Sequence, residues 1–335
     1  MSLYFKRTSP LIKHLLAVLF PMLSGEELNE LLGIYPKLLE DIPDKNELVQ
    51  LKGLLFFLNT RLGCAFFFKS LNKIDNLSSE AIESFFKRNL KSRILLKRKA
   101  AFNILSLLGV LITRGNNSAT KTLWSSMRYK YKINQSSYKY KRNKFNGKDV
   151  DVAVIGSGSG GGVAAGIISG SNREVSVFEK SKELIESESL VSEGEAYSEL
   201  YESNGLAQAR GSGAILLAGS TLGGGSTINW TTSIDPPNKI REQWDKIAKI
   251  DNIFTSNEFS NSINAVKERI NVNKDSNTTP LKEKKLEEGL QSIKITTKSI
   301  PRNVKGCNGD ECGFCGFGCI NGSKQSTKNT WIEDA

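Results

Sequence analysis

Apolar residues gather over the first 112 positions in runs that favour helices rather than strands. Residues 11–20 (LIKHLLAVLF) are apolar around Lys13 and His14, and Pro21 marks an end or a kink. Ser24-Gly-Glu-Glu27 has the form of a capping box leading into Leu28, Leu31 and Leu32. Residues 48–68 are strongly apolar but interrupted by Lys52 and Arg61, and residues 100–112 carry no charge between Arg98-Lys99 and Arg114. A spanning helix needs about twenty mostly apolar residues, which neither stretch supplies cleanly. Both fit core helices or helices lying in or re-entering a membrane interface, and true spans are the weaker alternative. The pattern predicts an all-helical region over residues 1–147.

The period changes after residue 148. Val150, Val152, Val154 and Ile155 form a β-branched run expected to be a buried parallel strand. Small residues at 163–168 predict a closely packing helix, and residues 175–178 a second strand. Further strands are expected at 214–218 and at the alternating 293–300. Helices are expected at 241–250, 258–270 and 281–290.

Charge divides the chain in the same place. Residues 1–148 carry 26 Lys+Arg and 10 Asp+Glu, whereas residues 149–335 carry 20 and 25. The basic excess therefore lies N-terminal, where it suits an anionic surface or a solvated helical face. Residues 128–148 interleave Lys and Arg with Tyr129, Tyr131, Tyr138 and Tyr140. Such a segment can stack on nucleic acid, but no recognition motif accompanies it, so a basic linker or packed arm is expected and no nucleic-acid partner. Residues 181–203 carry glutamates at 183, 186, 188, 193, 195, 199 and 202, as a surface helix or loop would. No convincing signal peptide precedes the helices, so an intracellular, reducing compartment is expected.

The chemistry concentrates in glycine-rich and cysteine-rich segments. Gly156-Ser157-Gly158-Ser159-Gly160-Gly161 contains GxGxxG between the first strand and the small-residue helix, and the second strand ends at Glu179. Glycines there permit a tight turn, backbone approach to a pyrophosphate and close helix packing. The helix N-terminus favours phosphate, and an acid at Glu179 suits a ribose with a free 2′-hydroxyl, hence FAD or NAD. In a second cluster, Gly223, Gly224 and Gly225 let backbone approach a flat ligand, with Ser226, Thr227 and Asn229 offering hydrogen bonds. Cys307-x4-Cys312-x2-Cys315-x3-Cys319 has spacing compatible with structural thiols, an iron–sulfur cluster or, less well, zinc. Cys64, among phenylalanines, is expected to be buried, and His14, among leucines, to be core or snorkelling rather than catalytic.

Together, GSTLGGGSTINWTTSIDPP, REQW and CGFCGFGCINGSKQSTKNTWIEDA resemble the glucose-methanol-choline (GMC) oxidoreductases, and more closely their long-chain fatty alcohol oxidase branch. The similarity runs from about Leu48 to Ala335. It implies an α/β fold: a Rossmann-like FAD-binding domain over residues 148–235, preceded by the helical, membrane-associating region and followed by an incomplete α+β substrate domain over 236–335. It also implies that Gly156, Ser157, Gly158, Ser159, Gly160, Gly161 and Glu179 hold FAD pyrophosphate and ribose, and that Gly223, Gly224, Gly225, Ser226 and Asn229 line the flavin. The implied reaction takes long-chain primary alcohols to aldehydes with oxygen as acceptor. Alternatives are a dehydrogenase passing electrons through a cysteine-ligated cluster, or a non-catalytic membrane protein. The family's catalytic histidine lies in its C-terminal part, whereas the single histidine here is His14. A fragment without turnover of its own is therefore expected, with no catalytic or metal-ligating residue assigned.

Overall fold

The computed structural model describes residues 3–114, 117–127, 140–141, 147, 149–185, 193–207, 209, 214–249, 252–275, 279, 281–307 and 313–335. Tyr129, Tyr131, Tyr138, Glu186, Glu188 and Cys312 lie outside them. The chain divides into two compact units, one of residues 1–134, 192–198 and 202–217, the other of residues 135–191, 199–201 and 218–335.

The first unit is built on α1 (Leu3–Leu19), α2 (Gly25–Glu40), α3 (Lys45–Leu58), α4 (Arg61–Phe68), α5 (Ser79–Asn89), α6 (Leu95–Thr113) and α7 (Ser118–Ser126). The box before α2 closes in both directions, with Ser24 N donating to Glu27 Oε2 at 2.7 Å and Glu27 N to Ser24 Oγ at 3.2 Å. The uncharged run of 100–112 is a core helix, burying Ala100, Ala101, Ile104, Leu107, Leu108, Leu111 and Ile112. These meet Leu11, Ile12, Leu15 and Leu16 of α1, Tyr35 of α2 and Phe85 of α5 in one apolar cluster, which also takes in Cys64. No single helix among the described residues is long and apolar enough to cross a membrane, although α3 and α4, bent by 94°, pass that test as a pair by length and composition.

The second unit mixes helices with short strands. These are β1 (Tyr140–Lys141), β2 (Val152–Ile155), α8 (Ser159–Ser169), β3 (Val175–Phe178) and β4 (Glu183–Leu184), followed by α9 (Glu193–Leu200), which has residues in both units. Then come α10 (Gly225–Ile228), α11 (Asn238–Ala248), α12 (Asn257–Arg269), β5 (Val272–Asn273), α13 (Leu281–Ser292), β6 (Arg302–Asn303) and α14 (Trp331–Asp334). β2 and β3 are parallel, Val152 opposite Val175 and Ile155 opposite Phe178, with α8 as the crossover. β1 pairs antiparallel with β4, so part of the basic arm joins this unit. β5 and β6 form another antiparallel pair.

Three expectations give way here. β2 is not buried on both faces: Ile155 is 81% exposed, because the described sheet has only two strands and leaves one face uncovered. Residues 214–218 make no strand, only a bridge at Ile215 before the Tyr201–Gly219 bridge. Residues 293–300 form no strand, and Ile293, Ile295 and Ile300 are exposed; alternation supplies a strand-like pattern without making a strand.

Candidate cofactor-binding site

β2 runs into Gly156, whose φ of +93° turns the chain back in a conformation open to glycine. Its N–H still donates to Phe178 O at 2.8 Å, the last rung against β3. Gly161 follows so tightly that a Cβ would stand 1.9 Å from Gly156 O, whereas at Gly158 and Gly160 nothing lies within 4 Å of that point. Gly158 is the N-cap of α8 and gives it no side-chain cap, so the first-turn N–H groups face an open site with the helix's positive end.

The small residues of α8 do more than approach the strand. A Cβ on Gly162 would meet Thr327 Cβ at 2.6 Å, and one on Gly166 would meet the Trp331 side chain at 2.7 Å. Spaced by four, they line one helix face, and that face receives residues 327–331.

Ser157 is fully buried and joins both glycine segments. Its N–H and Oγ donate to Glu179 Oε2 at 3.0 and 2.5 Å, and its Oγ accepts from Gly223 N at 2.9 Å. Ser181 N donates to Glu179 Oε1 at 3.0 Å. Burial pushes the Glu179 carboxyl up, but the Ser157 and Ser181 donors outweigh it and hold the group below its ordinary value. The Ser181 hydroxyl adds to these donors, so most of the roughly four acceptor positions of the carboxylate are engaged within the protein.

In the second cluster Gly224 adopts φ +52°, ψ −134°, and a Cβ there would lie 3.1 Å from Gly158 Cα. The two glycine motifs thus touch backbone to backbone. Ser226 Oγ donates to Gly223 O at 2.6 Å and accepts from Thr327 N at 3.0 Å. Thr327 Oγ1 in turn donates to Ser157 O at 3.0 Å. Asn229 Oδ1 accepts from Thr231 N at 3.0 Å, closing the turn after α10.

Two residues of this centre received no role from sequence reasoning. Thr327 is one. The other is Lys324, fully buried, whose Nζ donates to Thr227 O, Asn229 O and Cys315 O at 2.6, 2.8 and 2.5 Å. The available signal was the polar run Ser323–Lys328 directly after the cysteines, inside the segment that resembles the family.

A cleft of about 450 Å³ opens beside the second motif. Ser159, Ser226 and Asn229 border it, and Phe259, Ile263, Val266 and Ile270 form an apolar wall. That wall is held by the REQW helix. Arg241 of α11 donates to Phe254 O, to Ser256 O at 3.2 Å and to Ser260 Oγ at 2.9 Å, while Asp245 accepts from Phe254 N at 2.8 Å. Lys267 pairs with Asp235 at 2.8 Å where both line the cleft.

The cysteines do not assemble a metal site among the described residues, where no group of three or more His, Cys, Asp or Glu side chains converges. Cys307 and Cys315 are half-buried, Cys319 buried, and Cys312 lies outside. His14, in the first unit, is half-buried, with Nε2 3.1 Å from Leu77 O.

Residues 197–335 match the family profile described as GMC oxidoreductase. Over 184 residues the chain is 36% identical to the long-chain-alcohol oxidase FAO4A of Arabidopsis thaliana, covering 55% of this chain and 25% of that protein. Long-chain-alcohol oxidase FAO3 of the same plant is 34% identical over 185 residues, covering 55% and 24%. An uncharacterized GMC-type oxidoreductase, y4nJ, of Sinorhizobium fredii is 27% identical over 185 residues, covering 55% and 36%. The chain spans about a quarter of the length of the plant relatives. No solved structure matches it. Over this part the chain is similar to the GMC oxidoreductases, and the proteins it resembles include plant long-chain-alcohol oxidases.

Proposed function

We propose that this chain is part of an FAD-dependent oxidase of long-chain primary alcohols. The observation that carries the reading is the meeting of the two glycine motifs at Gly158 and Gly224, beside a cleft with one polar border and one apolar wall. In this reading residues 148–235 form the Rossmann-like FAD domain and residues 236–335 contribute to the substrate domain. Open backbone at Gly158 and Gly160 and the uncapped N-terminus of α8 fit a pyrophosphate. Glu179 would hold the ribose hydroxyl in exchange for one of its serine donors, and Gly223, Gly224, Gly225, Ser226 and Asn229 would hold the flavin ring. FAD held there would supply the electron acceptor for taking an alcohol to an aldehyde, with oxygen as final acceptor. Phe259, Ile263, Val266 and Ile270 pack the alkyl chain and keep water from it. No histidine of residues 135–335 serves as base, since His14 is the chain's single histidine.

The first unit belongs at a membrane surface in this reading. Phe56, Phe57, Leu62, Phe66, Leu95 and Leu96 are all exposed. Arg61, Lys97, Arg98 and Lys99 accompany them, and Lys97 Nζ stands 4.4 Å from the Phe66 ring centroid. Apolar side chains with a basic rim suit an anionic bilayer, and the half-buried thiols of Cys307 and Cys315 suit a reducing intracellular compartment.

Purified chain should release FAD on denaturation, and Gly161→Val should abolish that flavin without unfolding the first unit. Flavin retained at wild-type stoichiometry by Gly161→Val would sink the assignment. The full chain should also float with anionic vesicles at low salt and remain in solution with neutral ones.

A further inference from the structure

Arg302 of β6 occupies a position that neither the cofactor nor the substrate reading uses. Its Nη2 donates to Cys307 Sγ at 3.6 Å and to Cys315 Sγ at 3.9 Å, and its Nε donates to Thr231 Oγ1 at 2.9 Å. One guanidinium nitrogen therefore bridges two free, half-buried thiols from separate loops. A cation standing between two sulfurs opposes a metal ion in the same place. It is instead placed to balance the negative charge carried by an attacking sulfur. Cys319 differs: it is only 9% exposed and its Sγ accepts Lys324 N at 3.3 Å.

We infer that Cys307, Cys315 and Arg302 form a peroxide-reactive dithiol site that closes to a disulfide. In the first step one thiolate sulfur attacks a peroxide oxygen: the S–O bond forms, the O–O bond breaks, and hydroxide leaves. Sulfur is oxidised by two electrons and the peroxide is reduced. In the second step the other sulfur attacks the sulfenic acid, the S–S bond forms, the S–O bond breaks, and the departing hydroxide takes up a proton as water. In sum, two thiols and one peroxide give one disulfide and two waters. The tether from Arg302 to Thr231, two residues after Asn229, connects this site to the turn bordering the cleft. The source of peroxide rests on the proposed oxidase reading, in which oxygen is reduced; the thiol chemistry does not.

The test adds hydrogen peroxide directly to reduced full chain, so a failure of the oxidase reading leaves it intact. Thiols are alkylated at intervals and peptides mapped by mass. Cys307 and Cys315 should disappear together into one linked peptide pair while Cys319 remains alkylatable only after unfolding. Arg302→Gln should slow that loss about tenfold or more, the effect of removing a charge-assisted contact, and Arg302→Lys should restore part of the rate. Cys315→Ser should leave Cys307 stopping at sulfenic or sulfinic acid. A disulfide to Cys312 instead, equal rates in Arg302→Gln and wild type, or stoichiometric iron or zinc in the purified chain would each overturn the inference.

Discussion

The two units of this chain hold themselves together with different materials. The helical unit buries a continuous set of leucines, isoleucines and phenylalanines, with few polar groups among them. The glycine-rich unit buries few large apolar side chains, and its interior instead contains Ser157, Thr221, Thr227, Thr231, Asn303, Ser323, Lys324, Ser326, Thr327 and Thr330. An apolar core is non-directional and tolerates repacking. A buried polar network must satisfy every donor and acceptor, so one deletion strands several partners. The comparison therefore predicts concentrated, specific damage in one unit and graded damage in the other.

Lys324 should show the largest effect. Lys324→Met keeps much of the volume but leaves the carbonyls of Thr227, Asn229 and Cys315 without this donor. The expected cost is on the order of 4 kcal/mol, since each stranded buried acceptor costs roughly 1–3 kcal/mol before relaxation. Trp230, Trp244 and Trp331 lie in that unit, so their fluorescence should report loss of structure while far-ultraviolet helicity largely persists. Unchanged fluorescence and melting would mean that the network does not organise the unit.

Leu108→Ala tests the other side of the comparison. Leu108 is fully buried in α6, and the substitution should cost about 2–5 kcal/mol through lost burial and a residual cavity. Far-ultraviolet signal should melt earlier, with the three tryptophans of the second unit less affected. Coincident loss of both signals in Leu108→Ala and in Lys324→Met would erase the distinction between the units.

Thr327→Val is expected to come next, at about 1–3 kcal/mol. It keeps the shape but removes the hydroxyl that donates to Ser157 O and faces Ser226 Oγ. Denaturant unfolding followed by tryptophan fluorescence measures the shift, and under the proposed FAD reading weaker flavin retention should accompany it. A midpoint equal to wild type would make Thr327 a space-filling residue against Gly162.

The same contrast explains what could be read from residues alone. Capping at Ser24 and the β2–α8–β3 order follow rules that act within a few positions, and they were legible, whereas the run 100–112 fitted a core or an interfacial helix until its packing was known. Gly161 was legible as a close-contact glycine, but the partners of Gly162 and Gly166 were not, because Thr327 and Trp331 lie some 165 residues onward. Lys324 and Thr327 sit in a polar stretch that reads as a solvated loop unless its distant carbonyl partners are known. Conversely, alternation at 293–300 promised a strand that does not form, and Ile155 looked buried because β-branched runs usually are. Local pattern predicts local conformation, whereas polar burial depends on contacts that no window of residues contains.

Glu179 should give the smallest effect and the most specific one. Its folded carboxyl lies below the ordinary glutamate value of 4.5, burial being outweighed by the Ser157 and Ser181 donors. A depressed folded value means that the unfolded chain binds the proton more readily. The stabilisation is therefore complete above about pH 4.5 and is lost as pH falls through the lower folded value. Glu179 is partly exposed, so solvent screening limits the contribution to under about 1 kcal/mol. Glu179→Gln should lower the urea midpoint slightly at neutral pH, and the gap to wild type should narrow as the solution is acidified below about pH 4. Asp245, also held below its ordinary value by donors from Phe254 and Thr255, titrates in both proteins and cancels in the comparison. A gap that stays constant across that range would mean the glycine loop is held by the shape of the Glu179 side chain and not by its charge.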